Sequence, residues 1–350
     1  MRTQAPRIGV VYEHPEWFGP LFAEMDRRGL PYDRIDISAH TFDPETREIP
    51  WSLVLNRMSP SAYVRGHGQA IAYTHELLRY LESTGADVVN GTAAFALETS
   101  KVAQCLLLRQ LGLRAPRTRV INHASQASAA AAGLRFPVIV KPNIGGSGAG
   151  MQRFETPEAL RGAVEAGALS LGINHTALVQ EFLPARDGHI VRVEVLDHRF
   201  LYAIKVYPNP AAGFNLCPAD ICHPGAAVDP AAGAAPEDSD RTGRAPSRIA
   251  NPADLCPADL PKVALRVEGY TPPDEVIRDV LAITVAARLD LGGVEYLVND
   301  RDGRVYYYDI NALSNFVTDA VRVVGFDPYA ALVDYLVARG RVREPTQARR

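Results

Sequence analysis

The sequence of 350 residues predicts an α/β fold with α+β subdomains. Two observations indicate this class. Short β-branched runs alternate with amphipathic helices over about the first hundred positions and again further along, and a strand hairpin lies near the C-terminal end. The length is sufficient for two or three domains. We therefore expect an N-terminal open α/β domain at residues 1–100, followed by subdomains at 101–180 and 181–345.

The first hundred residues contain predicted strands that are separated by helices. The strands are expected at Arg7–Tyr12, Tyr32–Asp36, Ser52–Asn56 and Ala86–Val89, and the helices at Trp17–Arg28 and Gln69–Thr84. Gly29 follows the first helix, and glycine is a common helix terminator. The second helix repeats apolar residues at helical spacing, so it can cover one face of a sheet.

The second predicted unit begins with a helix at residue 101. Thr99 or Ser100 supplies an N-terminal cap, and Gly112 ends the helix. The buried face of this helix is expected to carry Val102, Cys105 and Leu106. Lys101 lies in the first turn, where the helix dipole disfavours a cation. Its position therefore favours a bound phosphate, with an ordinary surface lysine as the alternative.

An apolar strand runs directly into a glycine-rich loop near the middle of the chain. Val138, Ile139 and Val140 form a β-branched run, so Lys141 emerges from it in a fixed direction. The loop contains Gly145, Gly146, Ser147, Gly148 and Gly150. Such glycines let backbone N–H groups approach an anion, which is typical of a lid over phosphates. The spacing fits neither common phosphate fingerprint, and a glycine-rich hairpin with an incidental lysine is the alternative.

The elements after this loop surround a segment of different composition. Helices are expected at Ala124–Ala132, from Pro157 and from Thr271 to about Leu289, and strands at Ala177–Glu181, Ile190–Leu196 and Arg199–Val206. Residues 207–262 hold ten of the 26 prolines, which indicates an irregular insertion. A zinc site is conceivable at Cys217, Cys222, His223 and Cys256, although the spacing is not that of a standard zinc knuckle.

The C-terminal hairpin carries oxygen ligands. Gly292–Asn311 is predicted to turn at Asp300–Gly303, which places Glu295 opposite Asp309. The two-residue strand period assigns one face of the second strand to Val305, Tyr307, Asp309 and Asn311. Two carboxylates and an amide oxygen are ligands that Mg²⁺ prefers. The alternative is an exposed hairpin with scattered acids.

The charge and hydropathy of the sequence limit the kinds of molecule that the protein is expected to bind. The chain has 37 basic and 40 acidic side chains, for a formal net charge of −3. Without a strong basic block, neither nucleic acid nor an anionic membrane is indicated. There is no apolar run of transmembrane length and no signal-peptide pattern, so we expect a cytoplasmic protein. A homo-oligomer is compatible with the sequence.

Together these residues resemble the ATP-grasp superfamily, and within it the amino-acid and peptide ligases similar to the ribosomal-protein glutamate ligase. The resemblance spans about residues 50–340. In chain order it rests on Asn56–Ser61, Ser100-Lys101 before a Gly-Leu-x-x-Pro-x-Thr step, the Lys141 loop, Val179–Leu183, Arg192, Lys205, Phe214–Leu216, Glu295, Asp309 and Asn311. It implies an ATP-grasp architecture in which two α+β subdomains sandwich ATP.

The resemblance implies a role for each matching nucleotide or metal position. The phosphates would be held by Lys101 and Lys141 and covered by Gly145, Gly146, Ser147 and Gly148. The adenine would meet Gln180, Glu181, Phe182 and Leu183. Two Mg²⁺ ions, for which Mn²⁺ can substitute, would be bound by Glu295, Asp309 and Asn311.

It also implies catalytic and substrate contacts. Arg192, with Lys205 or Asn215 nearby, would bind the carboxylate or the transferring phosphoryl group. A salt bridge from Arg192 to Glu194 or Asp197 is the alternative. Substrate contacts would come from Arg57, Ser59 and Ser314.

The implied reaction joins a carboxylate and an amine through an acyl phosphate, with release of ADP and phosphate. The substrates would be small amino acids or peptides. An ATP-grasp kinase acting on a hydroxyl and a non-catalytic ATP-binding module are the alternatives. The chain departs from the ligase pattern at Ile190, at Cys217–Asp220 and at Ala312–Asn315. We expect the 207–262 insertion to cover or line the acceptor site.

Overall fold

The computed structural model describes residues 6–208, 214, 216, 217 and 265–342. Asn215 and most of the predicted insertion lie outside the described residues. The same holds for Cys222, His223 and Cys256 of the conceivable zinc set. Within the described ranges, no helix combines the length and apolar character needed to cross a bilayer.

The first sheet is parallel and forms the centre of the N-terminal part. Its strands are β1 (Ile8–Tyr12), β2 (Tyr32–Asp36), β3 (Leu53–Arg57) and β4 (Val88–Val89), in the order β2-β1-β3-β4. Its helices are α1 (Gly19–Arg27), α2 (Gly68–Ser83) and α3 (Thr92–Glu98). The strands β1 and β3 are buried along their whole length, as expected for parallel strands covered on both faces. The predicted open α/β pattern is present in this part of the chain.

The second sheet is antiparallel and contains the strand that carries Lys141. Its strands are β5 (Thr118–Ile121), β6 (Val138–Pro142), β7 (Gln152–Phe154) and β8 (Ala177–Glu181), in the order β5-β8-β6-β7. The helices α5 (Ala127–Ala130) and α6 (Pro157–Glu165) accompany it. Val138 and Val140 pack in an apolar core with Leu160 of α6. The alternating residues Ile139 and Lys141 therefore face the other way.

The third sheet is antiparallel and is formed by the C-terminal half. Its strands are β9 (Ile190–Leu196), β10 (Arg199–Tyr207), β11 (Arg266–Tyr270), β12 (Leu291–Val298) and β13 (Val305–Asn311), in the order β11-β10-β9-β12-β13. The helix α7 (Asp274–Ala286) packs on one face through Val276, Val280 and Ile283. The predicted bounds of β9 are confirmed.

The hairpin of β12 and β13 contains a bulge. Glu295 pairs with Asp309, as predicted, but Tyr296 pairs with Tyr307, so Tyr308 is an extra residue in the second strand. The bulge reverses the alternation. Tyr307 packs into the α7 core, where its hydroxyl donates to Asp279. The prediction that Val305 and Tyr307 share a face with Asp309 is therefore wrong.

The helix α4 (Lys101–Gln110) packs against the edge strand β13. Ser100 is confirmed as its cap, because the Ser100 hydroxyl accepts from the Ala103 N–H at 3.2 Å. The predicted buried face is wrong, since Leu106 is 53% exposed. Gln104 is buried instead, where its amide makes two hydrogen bonds with the backbone of Ile310. An edge strand needs such partners, and an amide supplies them where an apolar side chain does not.

The last helices return the chain to the first sheet. After α8 (Ala320–Val324), α9 (Pro328–Val342) packs against α1 and β3. Arg339 of α9 donates to Asp87 before β4 and to Asp290 before β12. The end of the predicted 181–345 subdomain is thus packed against the N-terminal sheet.

Candidate active site

A cavity of about 580 Å³ is lined by strand residues of the second and third sheets and by residues that follow the strands of the first sheet, such as Ser59. Most of the predicted site residues line it: Ser59, Lys101, Lys141, Gly145, Gly146, Ser147, Gly148, Gln180, Glu181, Phe182, Leu183, Arg192, Glu295, Asp309 and Asn311. Arg57, Lys205 and Ser314 are not among the lining residues, and Asn215 lies outside the described part of the chain. The cavity therefore brings together residues that are up to about 250 positions apart in sequence.

The two lysines are both buried at the cavity wall. Lys141 is 3% exposed, and burial, with the charge of Lys101 adding to it, lowers its pKa to about 8. Lys101 donates from Nζ to Asp309 Oδ1 at 2.5 Å. Burial opposes the charge on Lys101, but Asp309 outweighs burial and the pKa is raised. The surface-lysine alternative for Lys101 is therefore wrong.

The glycine-rich loop contacts two other loops. A Cβ added at Gly146 would lie 3.7 Å from Pro60 and from Ser61. Gly148 has a φ of +73°, and an added Cβ would fall 2.6 Å from the carbonyl oxygen of Phe214. Both the backbone conformation and this close approach therefore require glycine at position 148.

The acidic residues of the hairpin face the lysines. Burial raises the pKa of Glu295 to about 7, with Arg192 opposing the shift and Asp309 adding to it. Burial opposes ionisation of Asp309, but Lys101 and Lys141 outweigh it and lower the pKa of this carboxyl. The Nδ2 of Asn311 is buried and has no hydrogen-bond partner within the described part of the chain.

These three residues are the donors that would hold a cation. In the described ranges, no group of three His, Cys, Asp or Glu side chains is placed to bind a metal. The set is therefore two carboxylates and an amide, a hard-oxygen set that fits Mg²⁺ when phosphate oxygens and waters complete the shell. Burial is the main cause of the raised pKa of Glu295 and the charge of Asp309 adds to it, so a divalent cation beside both carboxyls would favour their ionised forms.

Arg192 makes the predicted salt bridge and also lines the cavity. Its Nε donates to Glu194 at 2.7 Å, its Nη1 to Glu295 at 3.3 Å, and its Nη2 to the Ser314 hydroxyl at 2.5 Å. Burial opposes the charge, but Glu194 and Glu295 outweigh burial and raise the pKa. Arg192 therefore stays charged, and its direction is fixed by several hydrogen bonds.

Lys205 lies on the opposite face of the third sheet. The pairing of β9 and β10 places Ile204 beside Arg192 and Lys205 beside Val191. Since neighbouring side chains point to opposite faces, Lys205 points away from the cavity. Its Nζ lies 4.8 Å from the centroid of the Tyr270 ring. The predicted role of Lys205 beside Arg192 is therefore wrong.

Arg57 and Ser314 support the loop after β13. Arg57 is 2% exposed, and its Nη2 donates to the Ser314 carbonyl oxygen at 2.6 Å. Burial lowers the pKa of Arg57 to about 10. The Ser314 hydroxyl contacts Glu194 at 2.5 Å. Both residues are engaged within the protein, which contradicts their predicted direct contact with substrate.

Two further acidic residues at the cavity, Glu98 and Glu181, have carboxylates that accept hydrogen bonds from backbone N–H groups. Glu98 at the end of α3 lines the cavity, and its carboxylate accepts from the Ala312 N–H. Burial raises the pKa of Glu98 to about 7. Sequence analysis missed Glu98, because an acid in a short helix carries no signal of burial. Glu181 accepts from the Arg135 N–H at 2.8 Å, so its carboxylate is already engaged.

The end of the cavity near Glu181 is largely apolar. Ile139, Phe182, Leu183 and Leu297 contribute to its walls. The N–H groups of Glu181 and Phe182 donate to the carbonyl oxygens of Arg117 and Pro137. After these two N–H groups, the next backbone donor in the segment is the N–H group of Leu183. A flat apolar ring with a hydrogen-bonding edge matches such a slot.

Comparison with known proteins first defines the fold. The solved structure described as ATP-grasp ligase PsnB complexed with a phosphomimetic variant of minimal precursor, Mg and ADP matches with a TM-score of 0.62. The match covers 95% of this chain and 98% of that chain at 19% identity. This protein therefore has the ATP-grasp fold, as the resemblance implied.

Comparison of sequence then defines the domain. Residues 99–211 match the RimK-like ATP-grasp domain. The D-alanine--D-alanine ligase of Haemophilus influenzae (strain PittEE) is 32% identical over 123 residues, which is 34% of this chain and 39% of that protein. The probable alpha-L-glutamate ligase of Teredinibacter turnerae is 29% identical over 134 residues, 38% of this chain and 44% of that protein. The matches thus span less than half the length of these relatives.

Proposed function

We propose that this protein is an ATP-dependent carboxylate–amine ligase that forms an amide or peptide bond and releases ADP and phosphate. One observation carries the proposal. Lys101 and Asp309, the expected phosphate-binding and metal-binding residues, are 208 positions apart and are in contact inside one cavity. The relatives named above are a D-alanine--D-alanine ligase and a probable alpha-L-glutamate ligase, which supports ligation as the reaction class.

Lys101, Lys141 and the glycine-rich loop would hold the phosphates of ATP. The Lys101–Asp309 ion pair keeps two buried charges compensated. A phosphate at Lys101 together with Mg²⁺ at Asp309 would preserve that compensation when the pair opens. The apolar slot near Leu183 would take the adenine. ATP with Mg²⁺ would supply the phosphoryl group that makes a carboxylate oxygen a good leaving group.

Glu295, Asp309 and Asn311 would hold Mg²⁺, and we propose two ions, with Mn²⁺ able to substitute. Asp309 has a lowered pKa and is ionised at neutral pH. Glu295, with a pKa of about 7, would lose its remaining proton when it binds a cation. Metal binding through this set is therefore expected to release protons near pH 7.

Arg192 would stabilise the negative charge that develops on the substrate. Its hydrogen bonds to Glu194 and Ser314 fix the guanidinium, so little reorganisation is needed. The amine then attacks the carbonyl carbon of the acyl phosphate, the phosphate leaves with the bonding electron pair, and the amine loses a proton. Because water would hydrolyse this intermediate, closure of the glycine-rich loop has a clear role.

The carboxylate and amine substrates would bind at the end of the cavity formed by loops. Trp17, Ser59, Leu313 and Leu216 are among the residues that line the cavity. The Trp17 indole N–H is buried and has no acceptor among the described residues. Leu216 belongs to the predicted insertion, which supports the expectation that the insertion lines the acceptor site.

Phosphate release tests the proposal. Amino acids and short peptides are supplied in pairs with ATP and Mg²⁺, and phosphate is measured with each partner omitted in turn. Release that needs both a carboxylate and an amine, with formation of an acyl hydroxamate in hydroxylamine, supports the ligase. A stable phosphorylated product would instead indicate a kinase, and ATP binding without turnover a non-catalytic module.

A further inference from the structure

Two lysines of the cavity come from separate elements that one side chain joins. Lys141 is near the end of β6, and Lys101 opens α4. Asn143 follows β6 directly and is 7% exposed. Its own N–H donates to the Thr176 carbonyl oxygen at 2.9 Å, so its backbone is fixed to the second sheet.

Asn143 caps the first turn of α4 and so connects the end of β6 to this helix. Its carbonyl oxygen accepts from the Lys101 N–H at 3.1 Å, and its Oδ1 accepts from the Val102 N–H at 2.9 Å. The third N–H of that turn, from Ala103, is satisfied by Ser100 of the helix itself. Of the three N–H groups at the start of α4 that have no acceptor within the helix, two therefore donate to Asn143, which follows a strand of the second sheet.

The two lysines are close enough for their charges to repel each other. The charge of Lys101 helps to lower the pKa of Lys141. Both lysines are buried, so water screens this repulsion little. Asp309 attracts both lysines and offsets part of the repulsion, but these charge interactions do not by themselves fix the spacing of β6 and α4.

We propose that Asn143 is a positioning residue that sets the spacing of Lys101 and Lys141 and thereby their joint contact with a polyphosphate. The inference rests on the proposed function, since it takes both lysines as phosphate ligands. Because Asn143 occupies the helix N–H groups, the phosphates would be bound by the lysine side chains and not by the helix N-terminus. Asn143 itself is not among the residues that line the cavity.

Calorimetric titration of Mg²⁺-ATP and of adenosine tests this role in four variants. Asn143→Ala removes the Oδ1 cap and is expected to weaken ATP binding about five- to tenfold, with adenosine changed less than about twofold. Ser100→Ala removes the local cap of the same helix, together with a weak 3.4 Å hydrogen bond from the Ser100 hydroxyl to Asn143 Oδ1, but leaves the bond from Val102 to Asn143 in place. It is the matched control, expected to change ATP binding less than about twofold. Lys101→Ala and its combination with Asn143→Ala complete a double-mutant cycle.

The cycle separates positioning from general stability. If Asn143 acts through the lysines, its loss costs less than about twofold in the Lys101→Ala background. Equal losses for ATP and adenosine, equal losses in both backgrounds, or an equal effect of Ser100→Ala would each overturn the inference. Should Asn143→Ala fail to fold, Asn143→Ser keeps a shorter acceptor and is expected to weaken ATP about two- to threefold.

The same titrations distinguish failure of the proposed function from failure of the role of Asn143. If the unmodified protein binds neither ATP nor adenosine, the nucleotide site itself is refuted. If the protein binds ATP and Asn143→Ala binds it equally well, only the positioning role is lost.

Discussion

The two ends of the cavity are built from different elements. The proposed phosphate and metal end uses strands and a helix start, with Lys141 on β6, Glu295 on β12 and Lys101 at the first turn of α4. The proposed substrate end uses loops, including those at Ser59 and Leu313. Strand pairing fixes side-chain direction, whereas loops vary more readily. We infer that the lysines and the acids are held rigidly, whereas the glycine-rich loop over the phosphates and the loops at the substrate end are adaptable.

The largest effect is expected at the metal end. Asp309→Ala should lower turnover at least about 10²-fold, because a ligand that places transition-state charge is lost. Steady-state phosphate release at several Mg²⁺ concentrations measures this. Asp300→Ala in the exposed turn of the same hairpin is the control and should retain activity. Normal activity and normal Mg²⁺ dependence in Asp309→Ala would show that the hairpin acids are ordinary surface residues.

A lysine comparison tests the phosphate side next. Lys141→Ala should raise the KM for ATP about tenfold or more, because a buried cation at the phosphates is removed. The melting temperature should not fall, since burying this lysine costs free energy. Lys205→Ala is the control, because Lys205 lies on the face of the third sheet that points away from the cavity. Its KM for ATP should change less than about twofold. A lower melting temperature with an unchanged KM would favour a structural role for Lys141.

The pH dependence of ATP binding follows from Lys141. Its pKa is lowered to about 8 by burial, with the charge of Lys101 adding to the shift, and an anion binds the protonated form better. The dissociation constant for ATP should therefore be flat below about pH 8 and rise above it, by at most about tenfold per pH unit. Bound phosphate raises the pKa of Lys141 in the complex, so the rise levels off above that higher pKa. Lys141→Ala should remove this rise, and a pH dependence that persists there would assign it elsewhere.

The smallest effect on nucleotide affinity is expected at the substrate end. Trp17→Ala should change kcat/KM among amine or carboxylate substrates while the KM for ATP stays within about twofold, because Trp17 lies at the loop end. A competition series of amino-acid pairs measures this shift. An equal change in ATP affinity would contradict the separation of the two ends.

Trimming residues 226–250 tests the insertion in the same assay. The altered chain should show changed amine selectivity with ATP affinity retained. Unchanged kinetics with every acceptor would refute a role for the insertion in the acceptor site.

The rigid end was more predictable from sequence than the loop end. The two-residue period of a β-branched run placed Lys141 on one face, and the turn length placed Glu295 opposite Asp309, because strand geometry is regular. The local sequence pattern predicted the wrong side-chain direction where contacts between strands determine it. The bulge at Tyr308 reversed the face of Tyr307, and pairing with β9 turned Lys205 away from Arg192.

Buried polar residues were the other limit. Gln104 and Glu98 are buried because β13 and the loop after it offer backbone partners. Arg57 is likewise engaged by the carbonyl oxygen of Ser314. Such pairings join residues more than 200 positions apart, and no local spacing reports them.

The central claim is that one Mg²⁺-nucleotide lies between the lysines and the acidic hairpin. A crystal structure with Mg²⁺ and a non-hydrolysable ATP analogue tests it most directly. We predict phosphate oxygens within about 3 Å of Lys101 Nζ and Lys141 Nζ, and a cation about 2.1 Å from oxygens of Asp309 and Glu295. A nucleotide bound elsewhere, or phosphates that contact neither lysine, would contradict the account.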